Sequence, residues 1–502
     1  MQKQRTGSGV WVVLVLAAWS AAAVWFFYSR GWLFYYGDAE AHLNIARRIL
    51  DSQTPGYDQI GTAWLPLPHW LMLPFARSDA WWRSGIAGSI SAAACFVAAG
   101  AFLFAAVRRA FASASAAVAA TALFALNPNL LYMQSTAMTE AVFFAAVLAL
   151  LYFTMRFRET QGWGMAAGAG MAAFAGTLTR YEGWFLIPFA ALYMLSAARR
   201  RRKGVAMLFC ALGALGPLYW LAHNWWLYGD PLEFYRGPYS AWAIQGTQPY
   251  PGKGDWPTAW LYFRTATQLC AGPGLALMAI AGAAASLARR VFWPLALLAL
   301  PGVFYIWSIH SSATPIFVPT LWPHSYYNTR YGLAALPLLA VASAGLVAIM
   351  PSRMRAITAA LVIAAGTVHW MVEPQPRNWI VWEESRVNSE ARRAWTREAA
   401  EYLAPRYVRG SGIITSFGDL TGIYRQMGIP LRETFTGDNG LPWLATVRRP
   451  ELFLWQEWAV AMHGDAVAAA AVRDGRYSLE KSIMVKGAPA IEIYRRTGGN
   501  RG

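Results

Sequence analysis

Charge is scarce in this chain. Only 14% of its 502 residues are Asp, Glu, Lys or Arg, against about a quarter in an ordinary soluble domain. That deficit excludes a soluble globular protein of this length. Acid is scarcer than base: 26 Asp and Glu stand against 43 Lys and Arg, a formal net charge of +17. Such an excess raises the question of nucleic acid. The basic residues, however, fall in short clusters between apolar runs, a pattern of membrane orientation rather than of a binding stripe. No nucleic-acid partner is expected. Cysteine is almost missing; Cys95, Cys210 and Cys270 lie in or near apolar runs, without pairing or metal-type spacing, and read as small buried hydrophobes. Internal repeats are missing too.

Apolar residues are abundant, at 56%, and 15% of the chain is aromatic. Runs long enough to cross about 30 Å of hydrocarbon fall near 10–29, 84–107, 115–133, 138–155, 163–179, 182–198, 204–223, 270–288, 291–309, 331–350 and 354–372. The expected fold is thus a polytopic α-helical membrane protein with about eleven transmembrane helices. The fifth and sixth runs are short, and Arg180 and Glu182 separate them. The first has no clear cleavage site and is too long for a secretory signal, so it reads as an uncleaved membrane helix.

Basic clusters alternate with the runs: Lys3 and Arg5, Arg108-Arg109, Arg156 with Arg158, Arg199 to Lys203, Arg289-Arg290, and Arg353 with Arg355. All fall on one side, which the positive-inside rule makes cytoplasmic. The alternate loops 30–83, 224–269 and 310–330 are long, rich in Trp, Tyr and Pro, and expected outside. Within the first, Ala39 to Leu50 has amphipathic helical spacing. Such a helix is expected in the membrane interface, with Arg47 and Arg48 reaching phosphate head groups.

Composition changes near residue 373, where Glu373-Pro374-Gln375-Pro376 breaks the last apolar helix. Two domains are expected, 1–372 in the membrane and 373–502 as a small extracytoplasmic α/β domain. In the latter, Arg392 to Leu403 reads as helix, 412–417 as a buried strand, 419–427 as helix, 451–455 as strand, 459–472 as helix, and 478–485 with 490–494 as a hairpin. Ser416-Phe417-Gly418-Asp419 is a strand-to-helix turn resembling a ligand site, more simply read as structure.

The candidate chemistry gathers at outer boundaries. Gly37-Asp38-Ala39-Glu40-Ala41-His42 places two carboxylates just beyond the first span, where ionisable groups are costly unless partnered or used. A general base at a membrane surface fits there, and so does helix capping. An Asp-x-Glu can hold a divalent ion, but no second oxygen cluster is apparent. A metal-independent base is favoured and no cofactor is expected. Glu140, in Met138-Thr139-Glu140, opens the fourth span and is either a site residue or a helix start. Arg180 and Tyr181, in Thr179-Arg180-Tyr181-Glu182, sit at another outer boundary, the bland alternative being an Arg180–Glu182 contact. Arg330, in Asn328-Thr329-Arg330-Tyr331, suits phosphate because its fork matches phosphate oxygens, or serves as a snorkelling anchor. His69, in Pro66-Leu67-Pro68-His69, is a candidate hydrogen-bond partner for phosphate or sugar.

In their order and side these motifs resemble the GT-C superfamily of polytopic glycosyltransferases, especially the branch of protein O-mannosyltransferases and lipid A aminoarabinose transferases. The resemblance spans roughly residues 10–372 and rests on Asp38-Ala39-Glu40, Pro66-Leu67-Pro68-His69, Thr139-Glu140 and Thr179-Arg180. Ala46-Arg47-Arg48 behind the acidic motif is also similar to the first loop of oligosaccharyltransferase catalytic subunits. The resemblance implies inverting transfer of a sugar from a polyprenyl-phosphate donor to a hydroxyl of a lipid, glycan or protein acceptor, on the outer face of the cytoplasmic membrane. It makes Asp38 the base, gives Arg180 and Arg330 the departing phosphate, and gives Glu40, His69, Glu140 and Tyr181 donor or acceptor binding. One departure stands: the aminoarabinose transferases carry a lysine near the proline-rich entry, where this chain offers His69.

Two other classes compete. A transporter or flippase of lipid-linked sugars usually has repeats and ionisable or broken mid-span positions, neither clear here. A non-catalytic scaffold presenting the α/β domain leaves Asp38 and Arg330 unexplained.

Overall fold

The computed structural model describes residues 7–416 and 418–497; Lys3, Arg5 and Phe417 lie outside them. The chain forms two compact units. One comprises the chain up to Trp32, Thr62–Pro68 and Ser89–Glu384; the other comprises Leu33–Gly61, His69–Gly88 and the chain from Ser385 onward. Two pieces of the first long loop therefore belong with the C-terminal sheet.

In the first unit every one of the eleven apolar segments is helical over most of its length. Among the described residues seven helices are individually long and apolar enough to cross a membrane: Gly9–Ser29, Ile86–Phe111, Glu140–Thr160, Arg202–Tyr228, Phe292–Ser311, Thr329–Ile349 and Arg355–Val372. Two bent pairs bring the number to nine if each is one span: Ala114–Ala125 with Pro128–Gln134, at 68°, and Trp256–Ala271 with Pro273–Ala288, at 109°. Trp163–Thr177 and Glu182–Ala197 have 15 and 16 residues, short of the roughly 20 that a full crossing needs. The protein is an integral membrane protein by this architecture.

Both bends have local causes. Asn127 caps the second helix of its pair, its side chain accepting from Leu130 N, with Pro128 in the first turn. Gly272 takes a positive φ of 85° ahead of Pro273, a backbone that glycine adopts without strain. The breaks also satisfy each other: the amides of Asn127 and Asn129 donate to the Cys270 carbonyl at 2.8 and 3.0 Å. A carbonyl freed by a helix break in hydrocarbon needs such a partner. Elsewhere small residues set the spacing. A Cβ on Gly282 would lie 2.2 Å from the Ala342 carbonyl oxygen, and one on Gly345 2.4 Å from the Gly282 oxygen, so the helices Pro273–Ala288 and Leu336–Ile349 touch backbone to backbone.

The second unit is built on a five-stranded sheet: β1 (Ile413–Thr415), β2 (Thr434–Phe435), β3 (Trp458–Met462), β4 (Tyr477–Ile483) and β5 (Ile491–Arg496). The order is β2-β1-β3-β5-β4, with β2, β1 and β3 parallel and β5 and β4 antiparallel. Side chains alternate between two cores. Ile413, Trp458, Val460, Ile491 and Ile493 face the helices Glu390–Leu403 and Thr421–Met427. Ile414, Ala459 and Ala461 face the helix Ala466–Asp474.

Two expectations fail here. Residues 450–453 are a helical turn opened by Pro450, and the strand is Trp458–Met462. Its unbroken apolar run gives no alternation because both faces are covered. The next helix waits for Asp465, whose carboxylate accepts from Val467 N and Ala468 N. The amphipathic helix is present as Gly37–Arg48, but its arginines do not reach out to head groups. Arg47 is buried between Asp51 (2.7 Å) and Asp79, and Arg48 is paired with Asp438 at 2.6 Å. A buried guanidinium needs such carboxylates, and the α/β domain supplies Asp438.

Candidate functional site

In the sheet-bearing unit the acidic motif starts a helix. Tyr36 is the extended N-cap residue of Gly37–Arg48, and Asp38 and Glu40 occupy the first turn, where the helix dipole favours negative charge. Asp38 is half-buried. Glu40 is only 6% exposed and accepts from Arg425 Nε at 3.0 Å. Arg425 lies over the Phe34 ring at 3.7 Å and donates to the Arg83 carbonyl. Arg392 donates to the carbonyls of Phe34 and Tyr35 at 2.9 and 2.8 Å. A Cβ on Gly37 would lie 2.4 Å from that guanidinium, a physical reason for glycine directly before Asp38. The C-terminal sheet domain thus fixes the entry to the acidic helix from both sides. Neither arginine was marked by the sequence, since each lies more than 350 positions from its partner.

His69 is fully buried. Its Nε2 lies 2.9 Å from Nδ1 of His42. Burial, with His42 and Arg48 nearby, holds its pKa well below the ordinary histidine value. This ring-to-ring contact ties His69 to the acidic helix. His42 belonged to the quoted motif, but nothing local gave it a partner.

The helical unit holds a second cluster. Arg180 sits between Trp163–Thr177 and Glu182–Ala197. Its Nε donates to Glu182 at 2.7 Å, and its other nitrogens to Thr139 at 2.7 Å, Glu140 at 3.3 Å and Tyr305 at 2.6 Å. Glu140, at the first turn of Glu140–Thr160, also faces Arg330 Nε at 3.4 Å. Arg330 lies 3.8 Å from Glu384, whose carboxylate accepts from the backbone of Asn328 and Thr329 at 3.0 and 2.7 Å. Tyr331 stacks on Tyr305 at 4.5 Å and lies beneath both guanidiniums.

The cluster therefore unites Glu140, Arg180 and Arg330 and adds Glu182, Tyr305 and Glu384. The Arg180–Glu182 contact, the bland alternative, is real. Two arginines face three carboxylates, one acid more than base, so this is a paired network rather than a bare cationic cradle. These contacts engage four of the five N–H groups that the Arg180 guanidinium carries. Tyr181 turns the other way: its hydroxyl donates to Ala63 O and accepts from Trp220, and its ring stacks on Phe234. Among the described residues no group of three or more His, Cys, Asp or Glu is arranged to hold a metal ion.

The first unit is thus an all-helical span region that holds a Glu–Arg cluster, and the second a small α/β unit that holds the acidic helix. Residues 58–226 match the family described as dolichyl-phosphate-mannose-protein mannosyltransferase, a stretch that holds His69, Glu140, Arg180 and Tyr181. The crystal structure of ArnT from Cupriavidus metallidurans bound to undecaprenyl phosphate aligns over 98% of both chains at a TM-score of 0.58 and 12% identity. The apo state of the same protein aligns over 97% of this chain and 98% of its own at 0.55 and 14%. At these identities the likeness is one of fold. No curated protein matches the chain in sequence.

Proposed function

We propose that this protein transfers a sugar from a polyprenyl-phosphate-linked donor to an acceptor hydroxyl, with inversion, on the outer face of the cytoplasmic membrane. The observation that carries the proposal is the acidic first turn: a half-buried Asp38 on a helix whose entry is fixed by Arg392 and Arg425. A rigidly held carboxylate is what a general base needs. Support comes from the shared fold, since the ArnT neighbour was solved with undecaprenyl phosphate bound.

Asp38 takes the proton of the acceptor hydroxyl as its oxygen attacks the anomeric carbon. The bond from that carbon to the phosphate oxygen breaks, and the lipid phosphate leaves with the electron pair. Arg180 and Arg330 offset its charge; Glu140 holds both guanidiniums. Tyr181, held by Ala63 and Trp220, contributes to donor or acceptor binding away from that cluster. Glu40 and His69 support the base indirectly, through Arg425 and His42. The reaction is metal-independent, and a chelator leaves its rate unchanged. The basic loops are cytoplasmic, residues 1–372 are the transferase domain, and 373–502 lie outside and brace the acidic helix.

Purified protein is incubated with labelled polyprenyl-phosphate sugars and candidate acceptors, beside Asp38→Asn. Wild type is expected to yield glycosylated acceptor, and the variant to lose about 10²-fold or more in kcat, within the contribution of a positioned base. An Asp38→Asn variant as fast as wild type sinks the assignment of the base. Movement of the lipid-linked sugar across the bilayer without transfer makes the protein a flippase instead.

A further inference from the structure

The opposite ends of the helices form a second site that the transfer reaction does not use. Arg158, near the end of Glu140–Thr160, is 18 residues from Glu140, about 27 Å along a helix. There Arg109, Arg158, Arg199 and Arg290 line one cavity of about 330 Å3, with Glu159 the one carboxylate in its lining. Four basic clusters that lie far apart in sequence thus converge.

The cavity is built by specific ties. Gln161 ends its helix in a left-handed conformation (φ 56°). Its side chain accepts from Arg199 N at 2.8 Å and donates to Ala197 O at 3.0 Å. That bridge sets Arg158 beside Arg199. Trp293 donates to Thr154 at 2.9 Å and stacks on Tyr193 at 3.8 Å, which brings the Arg290 turn to the same place. Glu159 is shared by Arg156 at 3.0 Å and Arg109 at 3.8 Å, so its charge is already engaged. The surplus of guanidinium calls for an anion. The flank is apolar and exposed at Phe292, Leu192 and Leu195, which in a membrane protein is surface for acyl chains.

We propose that this cavity binds the phosphate ester of an anionic lipid headgroup, with the acyl chains on that flank. Basic pockets between membrane helices on the cytoplasmic side take such headgroups. The shared chemistry is a phosphate ester, and the rival source is a soluble one.

The test titrates full-length protein in detergent with fluorescent phosphatidylglycerol, read by polarisation. Glycerol 3-phosphate serves as competitor and fluorescent phosphatidylcholine as control. Removing two charges with Arg158→Gln plus Arg290→Gln is expected to weaken phosphatidylglycerol binding about 30-fold, from roughly 1 kcal/mol per basic residue. Arg158→Lys plus Arg290→Lys keeps the charge and retains binding, which separates lost charge from lost folding. Glycerol 3-phosphate displaces the lipid only in large excess. Equal binding by the glutamine pair and wild type, or equal binding of phosphatidylcholine, overturns the site. Displacement by equimolar glycerol 3-phosphate reassigns it to a soluble phosphate and overturns the lipid.

Discussion

Arg425→Gln tests the link between the C-terminal domain and the acidic helix most directly. Arg425 is 18% exposed at its side chain and Glu40 7%, so removing the guanidinium leaves a carboxylate buried without its cation. Breaking such a pair costs about 3 kcal/mol, whereas an exposed pair is worth about 0–1. For a unit on the order of 150–250 residues that is a fall of about 6–12 °C in Tm. Glu40→Gln costs less, because Arg425 keeps the Arg83 carbonyl and the Phe34 ring. In the double variant the stranded charge is gone, so it is more stable than Arg425→Gln alone. The coupling in this cycle is then about 1.5 kcal/mol or more, well beyond the roughly 0.3–0.5 expected of independent sites. Melting is followed by tryptophan fluorescence of the full-length protein in detergent, and transfer kinetics are measured beside it. Loosening the first turn displaces Asp38, so kcat falls about tenfold or more with KM little changed. Additive single variants refute the tie. Full kcat in a destabilised Arg425→Gln protein refutes its part in positioning the base.

His69 predicts a pH dependence of stability. Its folded pKa lies below the ordinary value, so the unfolded chain binds the extra proton. Stability is therefore full above about pH 6.5 and falls as pH drops below it, by up to about 1.4 kcal/mol per unit. His69→Gln should flatten the curve, as thermal melts between pH 5 and 8 will show; parallel curves contradict this. Gly282→Leu should cost on the order of 3 kcal/mol or abolish the folded fraction on size exclusion, since its Cβ meets the Ala342 carbonyl. Gly164→Ala, with nothing within 4 Å, should be neutral, and equal losses at both glycines refute the close packing of Gly282.

What the sequence made legible follows from the range over which each signal acts. Helices announce themselves through apolar runs, and all eleven runs are helical. Their lengths, Asn127-Pro128 and Gly272-Pro273 decide which cross and which bend. The alternation of basic clusters is a pattern over whole loops, and four of them meet in one cavity. Glu140, Arg180 and Arg330 sit at ends of apolar runs, so their burial demanded partners, and Glu140 is the one they share. Arg47 and Arg48 misled because amphipathic spacing reports a polar face without naming what covers it. An interface helix and a helix covered by Asp51, Asp79 and Asp438 look alike in sequence. The same blindness hid Arg392 and Arg425 in an ordinary soluble segment. A tie between residues 40 and 425 leaves no trace in periodicity or spacing. The division of labour differs from the one composition suggests. The acidic motif lies in the first long loop, yet its geometry is set by arginines of the C-terminal domain, so a truncation near residue 373 removes the supports of Asp38 while leaving every apolar span intact.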